Sequence, residues 1–305
     1  MSLPPPDPAF ILRSGQAPIT CLTIYQNETE YILSGSEKGE LTIWDMKTKR
    51  KTSTHKIHNG KGILSVICLM HGGFATQGRD GVVSFWDDNF KLIGSLVTEF
   101  IGFCPLIDIK ITDRQVLIIP FDEKSLIKII DPQDKSELFT LKPGKKYGMC
   151  MSMVAFSKMD YPQVLVGYED GGISLWDRDT EDFHHSLFTE PVMCIGYSAE
   201  LSRGVSGSAE NNLILWSLQE KKLNVLKNIE ATGSGFNCIK FRNDSRIFVT
   251  GGWDGQGRVY GAKSGKQLAV LSYHTESIQS VSISQSNLIY LGSKDGNISI
   301  WNVYA

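Results

Sequence analysis

Apolar and polar residues alternate with period two in short runs along almost the whole of this 305-residue chain, and small or turn-forming residues punctuate the runs. Pro18-Ile19-Thr20-Cys21-Leu22-Thr23-Ile24 is followed by Tyr31-Ile32-Leu33-Ser34-Gly35-Ser36, by Glu37-Lys38-Gly39, and by Glu40-Leu41-Thr42-Ile43-Trp44-Asp45. Alternation of this kind puts one face of each segment in a core and the other outside, so it predicts short antiparallel strands joined by tight turns. The same order returns from Ser65-Val66-Ile67-Cys68 to Trp86-Asp87, from Leu106-Ile107-Asp108-Ile109 to Ile130-Asp131, and from Met153-Val154-Ala155-Phe156 to Trp176-Asp177. It returns again from Cys194 to Trp216-Ser217, from Cys238 to Tyr260-Gly261, and from Ser280 to Trp301-Asn302. Asp80-Gly81, Asp170-Gly171, Asp254-Gly255 and Asp295-Gly296 precede four of the closing strands, as hairpin turns in which glycine tolerates positive φ.

The closing positions form a ladder. Trp44, Trp86, Ile130, Trp176, Trp216, Tyr260 and Trp301 recur at intervals of 40 to 46 residues. A period of about 40–45 residues ending on Trp-Asp is the signature of a WD40 β-propeller. The expected fold is therefore all-β: a seven-bladed propeller spanning 9–305 as one domain, after a proline-rich tail at 1–8. The third unit is the weakest, with no tryptophan and no glycine turn, and is counted because its spacing fits. The seventh unit stops after three strands. Ala9-Phe10-Ile11-Leu12-Arg13 is well placed to supply the fourth and so close the ring, which removes exposed sheet edges. In blades of this kind a turn aspartate commonly accepts from a histidine that bonds onward, through Ser or Thr, to the Trp indole. Two sets are available for this structural role: His58, Asp80 and Trp86, and His274, Asp295 and Trp301. The other five blades lack the histidine and are expected to rest more on packing.

Charge narrows the function. Lys and Arg number 31 against 33 Asp and Glu, and the net charge of −2 with a pI near 6.3 offers no basic footprint for nucleic acid. Lys49-Arg50-Lys51 and the lysines between 142 and 146 read as solvated loops. The opening Pro4-Pro5-Pro6 stretch has no apolar core, so no signal peptide is expected, and no apolar run approaches the roughly 20 residues that cross a bilayer. A cytoplasmic or nuclear location follows as an expectation. Cys21, Cys194 and Cys238 take the place on the inner strand where Ser65 and Ser280 sit in other units, and no Cys-x-x-Cys spacing occurs. Reduced core thiols are expected, not a metal site or disulfides. There is no phosphate-binding glycine loop, zincin motif or nucleophile elbow. His184-His185, with Asp179, Glu181 and Asp182, reads as a loop after the fourth blade, and Met149, Met151 and Met153 as inner-strand packing. Only Asp108 and Lys240 put isolated charges on inner strands. No catalytic residue, cofactor or metal is expected, and the chain reads as not an enzyme.

Trp253 is the one tryptophan off the ladder. It precedes Asp254 in a hairpin turn on the narrow face, where an exposed aromatic on a rigid scaffold makes a binding hot spot. The equivalent turn residues Lys38, Arg79, Glu169, Glu210 and Lys294 mix both charges, which suits a protein or peptide partner better than a phosphate backbone. Trp253, Arg79 and Lys294 are the candidate protein-binding residues.

Both ends of the chain carry a family resemblance. Pro4-Pro5-Pro6-Asp7-Pro8-Ala9-Phe10-Ile11-Leu12-Arg13 with Ala17-Pro18-Ile19, and Gly252-Trp253-Asp254 with Arg258-Val259-Tyr260, Gln267-Leu268-Ala269-Val270-Leu271, His274, Gly292-Ser293-Lys294-Asp295 and Ile298-Ser299-Ile300-Trp301, resemble the G-protein β-subunit-like family, whose fungal counterpart is the ASTRA-associated protein. One departure is Gly255-Gln256-Gly257, more flexible than expected between Asp254 and Arg258. The resemblance implies a non-enzymatic adaptor linked to the trimeric TTT co-chaperone, which delivers newly made phosphatidylinositol-kinase-related kinases for folding and assembly. On that reading the partners are TTT co-chaperone subunits or client kinases, and the chain is a monomer within a larger complex. The alternatives are a substrate receptor of a ubiquitin ligase and a reader of histone tails in a chromatin complex, the latter needing an aromatic cage or acidic pocket. A true G-protein β subunit is rejected, because no heptad-bearing helix precedes Phe10.

Overall fold

A computed structural model describes residues 6–13, 15, 17–26, 29–158, 161–233 and 235–304; the first five residues of the expected tail lie outside the described set. The chain enters on β1 (Phe10–Arg13). Blade one follows as β2 (Ile19–Gln26), β3 (Glu30–Ser36), β4 (Glu40–Asp45) and β5 (Arg50–Lys56), and blade two as β6 (Ile63–Cys68), β7 (Phe74–Gly78), β8 (Val82–Trp86) and β9 (Leu92–Val97). Blade three is β10 (Ile107–Ile111), β11 (Arg114–Pro120), β12 (Ile127–Ile130) and β13 (Glu137–Leu141), and blade four is β14 (Cys150–Lys158), β15 (Tyr161–Tyr168), β16 (Gly172–Asp177) and β17 (Thr180–Ser186). Blade five is β18 (Cys194–Ser198), β19 (Arg203–Gly207), β20 (Asn212–Gln219) and β21 (Lys222–Glu230), and blade six is β22 (Phe236–Phe241), β23 (Ile247–Gly252), β24 (Gln256–Gly261) and β25 (Gln267–Ser272). Blade seven has β26 (Ile278–Ile283), β27 (Ile289–Ser293) and β28 (Asn297–Trp301).

Each blade is a four-stranded antiparallel sheet, and the third is as regular as the rest despite its lack of tryptophan. The seventh is completed as expected. β1 pairs with β28 in the register Phe10↔Ile300, Ile11↔Ser299, Leu12↔Ile298 and Arg13↔Asn297, and Ala9 N donates to the Ile300 carbonyl at 2.7 Å.

The core explains the ladder. Buried apolar residues form seven clusters, one at each junction between neighbouring blades. Trp44 lies with Leu12, Tyr290 and Ile300 of blade seven, Ile130 with Val83 and Phe85 of blade two, and Trp301 with Val249 and Val259 of blade six. The ladder side chain of each blade thus fills the wedge against the blade before it, and an aliphatic such as Ile130 can take the place. A β-bulge falls beside the ladder residue in blades one to six, adding local twist where the sheet must turn.

The small inner-strand residues have a second use. Ser65 Oγ donates to the Leu106 carbonyl of the next blade at 2.9 Å, Ser152 Oγ to the Val192 carbonyl at 2.7 Å, and the thiol of Cys194 reaches the Phe236 carbonyl at 3.6 Å. Leu22 N donates to Ser280 Oγ at 3.0 Å across the closing junction. At the junction of blades three and four the Cys150 and Cys104 sulfurs lie 3.3 Å apart, both fully buried. All six cysteines are free, and burial pushes the Cys21 and Cys238 thiols up to about 12.

Two expectations need correction. His184 and His185 are not in a loop but on β17, as are Glu181 and Asp182. The turn hairpin is shorter than the sequence suggested, so the outer strand of blade four starts at Thr180. The stretch from Gly255 to Gly257 is also less of a loop than expected: Gln256 and Gly257 belong to β24, and a Cβ on Gly257 would fall 2.5 Å from Leu291 Cδ1. Gly257 is there for close packing against blade seven, while Gly255, at φ +74°, makes the turn.

Candidate protein-binding face

Strand order puts two kinds of segment on one face of the ring, the narrow face of the sequence reading: the turns between second and third strands, and the links from each outer strand to the next blade's inner strand. Polar networks beneath this face hold its turns. In blade two His58 Nδ1 lies 3.0 Å from Asp80 Oδ1, His58 Nε2 lies 2.7 Å from Thr76 Oγ1, and Trp86 Nε1 donates to the same hydroxyl at 2.9 Å. Burial lowers the His58 pKa, against the pull of Asp80, so the ring is held neutral. In blade seven His274 bridges Asp295 at 2.8 Å and Ser299 Oγ at 2.8 Å, and Trp301 Nε1 donates to Ser299 at 2.7 Å. Both expected sets are assembled. The bridging hydroxyl comes from the second strand in one blade and from the tryptophan's own strand in the other.

The remaining blades are more polar than the sequence implied. His184 reaches back from the outer strand to Asp170 Oδ2 at 2.9 Å and Ser174 Oγ at 2.9 Å, stacked on Tyr147 with ring centroids 3.7 Å apart. It does the work of the missing histidine from another strand. In blade six Arg258, itself buried, forks onto Asp254 at 2.5 and 3.1 Å. Partial burial raises the Asp254 pKa, but hydrogen bonds from Arg258 and the Gln256 backbone outweigh it and hold the carboxyl below its usual value. In blades one and five the indoles of Trp44 and Trp216 donate to Ser34 and Ser206, each at 2.9 Å.

On this base stand the candidate residues. Trp253 is 42% exposed. Its indole N–H donates to Asn237 Oδ1 at 2.7 Å, and its ring lies on Gly235, where any Cβ would come within 2.1 Å of Trp253 Cδ2. The ring is therefore both fixed and open on one side. Lys294 projects from the next blade, its backbone N–H held by the Ser277 carbonyl at 3.0 Å. Arg79 is two blades further round, its guanidinium 4.7 Å above the ring of Phe103. Trp253 and Lys294 are thus on adjacent blades, and Arg79 belongs to a separate sector. That sector contains what the sequence reading missed: Ile101 and Phe103, exposed by 61% and 55% on the link from blade two to blade three. Links lack periodicity, so only the run of apolar residues between Phe100 and Phe103 could have flagged them.

The centre of the ring offers little chemistry. A channel of about 790 Å³ runs between the inner strands, lined by aliphatic, Ser and Cys residues with a few charges. Asp108 is tied to Gln115 Nε2 at 2.6 Å. Among the described residues, no group of three or more His, Cys, Asp or Glu could hold a metal ion.

A ring of four-stranded blades, tied by Asp–His–hydroxyl–Trp chains and presenting its residues for contact on turns, defines a WD-repeat β-propeller, a class that ordinarily serves as a scaffold and not as an enzyme. The WD domain, G-beta repeat family matches residues 223–260 and 265–302. Over the full length, the chain is 31% identical to guanine nucleotide-binding protein subunit beta-like protein 1 of Mus musculus, covering 99% of this chain and 97% of that one. It is 27% and 24% identical to ASTRA-associated protein 1 of Schizosaccharomyces japonicus and Schizosaccharomyces pombe, each alignment covering 98% of this chain and 99% of the relative. The chain belongs to the family of WD-repeat proteins that these relatives represent.

Proposed function

We propose that this protein is a non-enzymatic adaptor that holds protein partners on the narrow face of its ring, and that its partners are TTT co-chaperone subunits and the phosphatidylinositol-kinase-related kinases they help to assemble. Cytoplasm and nucleus are the compartments this role requires. The single observation that carries the reading is the full-length kinship with proteins named as ASTRA-associated. The geometry supports a protein partner in particular. Trp253, Arg79 with Phe103, and Ile101 offer exposed apolar and cationic surface on rigid turns, and such anchors lose little entropy on binding.

The test is affinity purification of the tagged protein from its own cells, with Trp253→Ala and Phe103→Ala beside the wild type and partners identified by mass spectrometry. Co-chaperone subunits and a kinase, depleted by either substitution, are the expected result. Co-chaperone recovered equally with all forms would move the site off this face. Cullin adaptors or histones in their place would overturn the chaperone link and favour the ubiquitin-ligase or chromatin alternative.

A further inference from the structure

Seven outer strands end the seven blades, and each turns one row of backbone N–H and C=O groups away from the ring. A free row of this kind recruits another strand unless charge, a cover or short length blunts it. Five of the seven carry charge within the strand: Arg13 in β1, Arg50 and Lys51 in β5, Glu137 in β13, Glu181 in β17 and Lys227 in β21. β25 has no charge, but Tyr304 lays its hydroxyl on the Leu268 carbonyl at 2.8 Å, and Ala269, Val270 and Leu271 are at least half covered. β9 has neither device. Its sequence is Leu-Ile-Gly-Ser-Leu-Val, and Ile93 and Val97 are 56% and 71% exposed. Lys135 of blade three does cross β9, but at Gly94, which faces the other way from Ile93 and Val97.

The register shows which groups are free. Thr98 N donates to the Gly81 carbonyl at 2.7 Å, which makes that position a hydrogen-bonded pair. Antiparallel ladders alternate bonded and non-bonded pairs, so Val97 opposite Val82 and Ser95 opposite Ser84 are non-bonded. The N–H and C=O of Ser95 and Val97 therefore point outward, and the exposed side chains of Ile93, Ser95 and Val97 stand on one face.

We propose that β9 is a self-pairing edge: two copies of this chain join by antiparallel pairing of residues 93–97 about a two-fold axis at Ser95, merging their second blades into one continuous sheet. That register pairs the outward groups of Ser95 with those of its copy and sets Ile93 of each copy, the bulge residue of β9, against Val97 of the other, an apolar cross-strand contact made twice. The ends decide the orientation. The exposed Lys91 precedes the strand and the exposed Glu99 follows it. Antiparallel pairing brings Lys91 of each copy alongside Glu99 of the other, whereas parallel pairing would set like charges side by side. This complementarity of the strand to its own reverse is the reason for choosing a second copy over a foreign strand.

Sedimentation velocity on the purified full-length chain, across a micromolar concentration series, tests the proposal. The mass is expected to rise to twice the 33.9 kDa of one chain. Val97→Lys should hold it at the single mass. Val97→Lys combined with Ile93→Glu should restore the doubled mass, because each introduced lysine then faces an introduced glutamate across the axis. Thermal melting of each variant is read in parallel, and both positions are exposed enough to tolerate the change. A wild type that stays at the single mass throughout overturns the proposal. So does a Val97→Lys variant that doubles like the wild type, or a natively melting double variant that fails to recover.

Discussion

Leu12 is the residue through which closure of the ring can be measured. It is 1% exposed and packs with Ile19, Ile32, Trp44, Tyr290 and Ile298 where blade seven meets blade one. Truncating a fully buried leucine to alanine removes its transfer free energy and leaves a cavity, together about 3 kcal/mol within the usual range of 2–5. Removing residues 1–14 does more. It takes the Leu12 contribution, the β1–β28 ladder with its net gain of about 1 kcal/mol per bond, and the pairing of one edge of β28, for a loss of roughly 6 kcal/mol. In a domain of this size 1 kcal/mol moves the midpoint by about 2 °C, so Leu12→Ala should lower Tm by about 6 °C and the deletion by about 12 °C. Arg13→Ala, on an exposed residue of the same strand, should stay within about 0.5 kcal/mol of the wild type. The assay is thermal melting followed by circular dichroism, with tryptophan fluorescence as a second probe. A deletion that melts at the wild-type temperature would refute the reasoning outright, since it would mean that β1 is a passenger and the ring is closed by other contacts.

Other outcomes follow from the same contacts. Thr76→Val removes the hydroxyl shared by His58 and Trp86 and strands a donor, the Trp86 indole N–H, and an acceptor, His58 Nε2, so urea titration should show a loss of about 2–4 kcal/mol. Gly257→Ala sets a methyl against Leu291 and should destabilise by about 1–3 kcal/mol, read from the same curves. Because His58 is buried neutral, its folded pKa lies below the ordinary histidine value of 6.5, and the unfolded chain takes up a proton first as pH falls. Stability should therefore be steady above pH 6.5 and decline from there down to the folded pKa. A melting temperature for the wild type that falls no more steeply than that of a His58→Gln variant would count against this. Thiol labelling of the native protein should be slow at Cys104 and Cys150 and rapid for all six cysteines after denaturation.

The sequence carried the fold because every blade repeats the same demand. A strand must end on a bulky side chain that fills the wedge behind it, and that demand is met at a fixed interval whether by Trp176, Tyr260 or Ile130. The polar networks were only half legible. His58 and His274 lie in links just before the blades they serve, where repeat spacing points to them. His184 acts from across a hairpin, and its pairing with Ser174 depends on a bulge at Trp176 that spacing alone does not place. The binding face was least legible. Trp253 stood out by breaking a pattern, but Phe103 lies where there is no pattern to break, and its contact with Arg79 joins residues 24 positions apart through the fold.

The pairing of β1 with β28 has a consequence for how the protein is made. The two strands are the first and the last of the ring to be synthesised, about 290 residues apart. At 5–20 residues per second, roughly 15 to 60 seconds separate the appearance of Leu12 from that of Ile298. For that interval β1 has no strand to pair with, and the face of blade one that Tyr290 and Ile300 will cover stays open. The ring is closed by its oldest segment waiting for its newest, and a ribosome that stalls late leaves a nearly finished disc with a sticky seam.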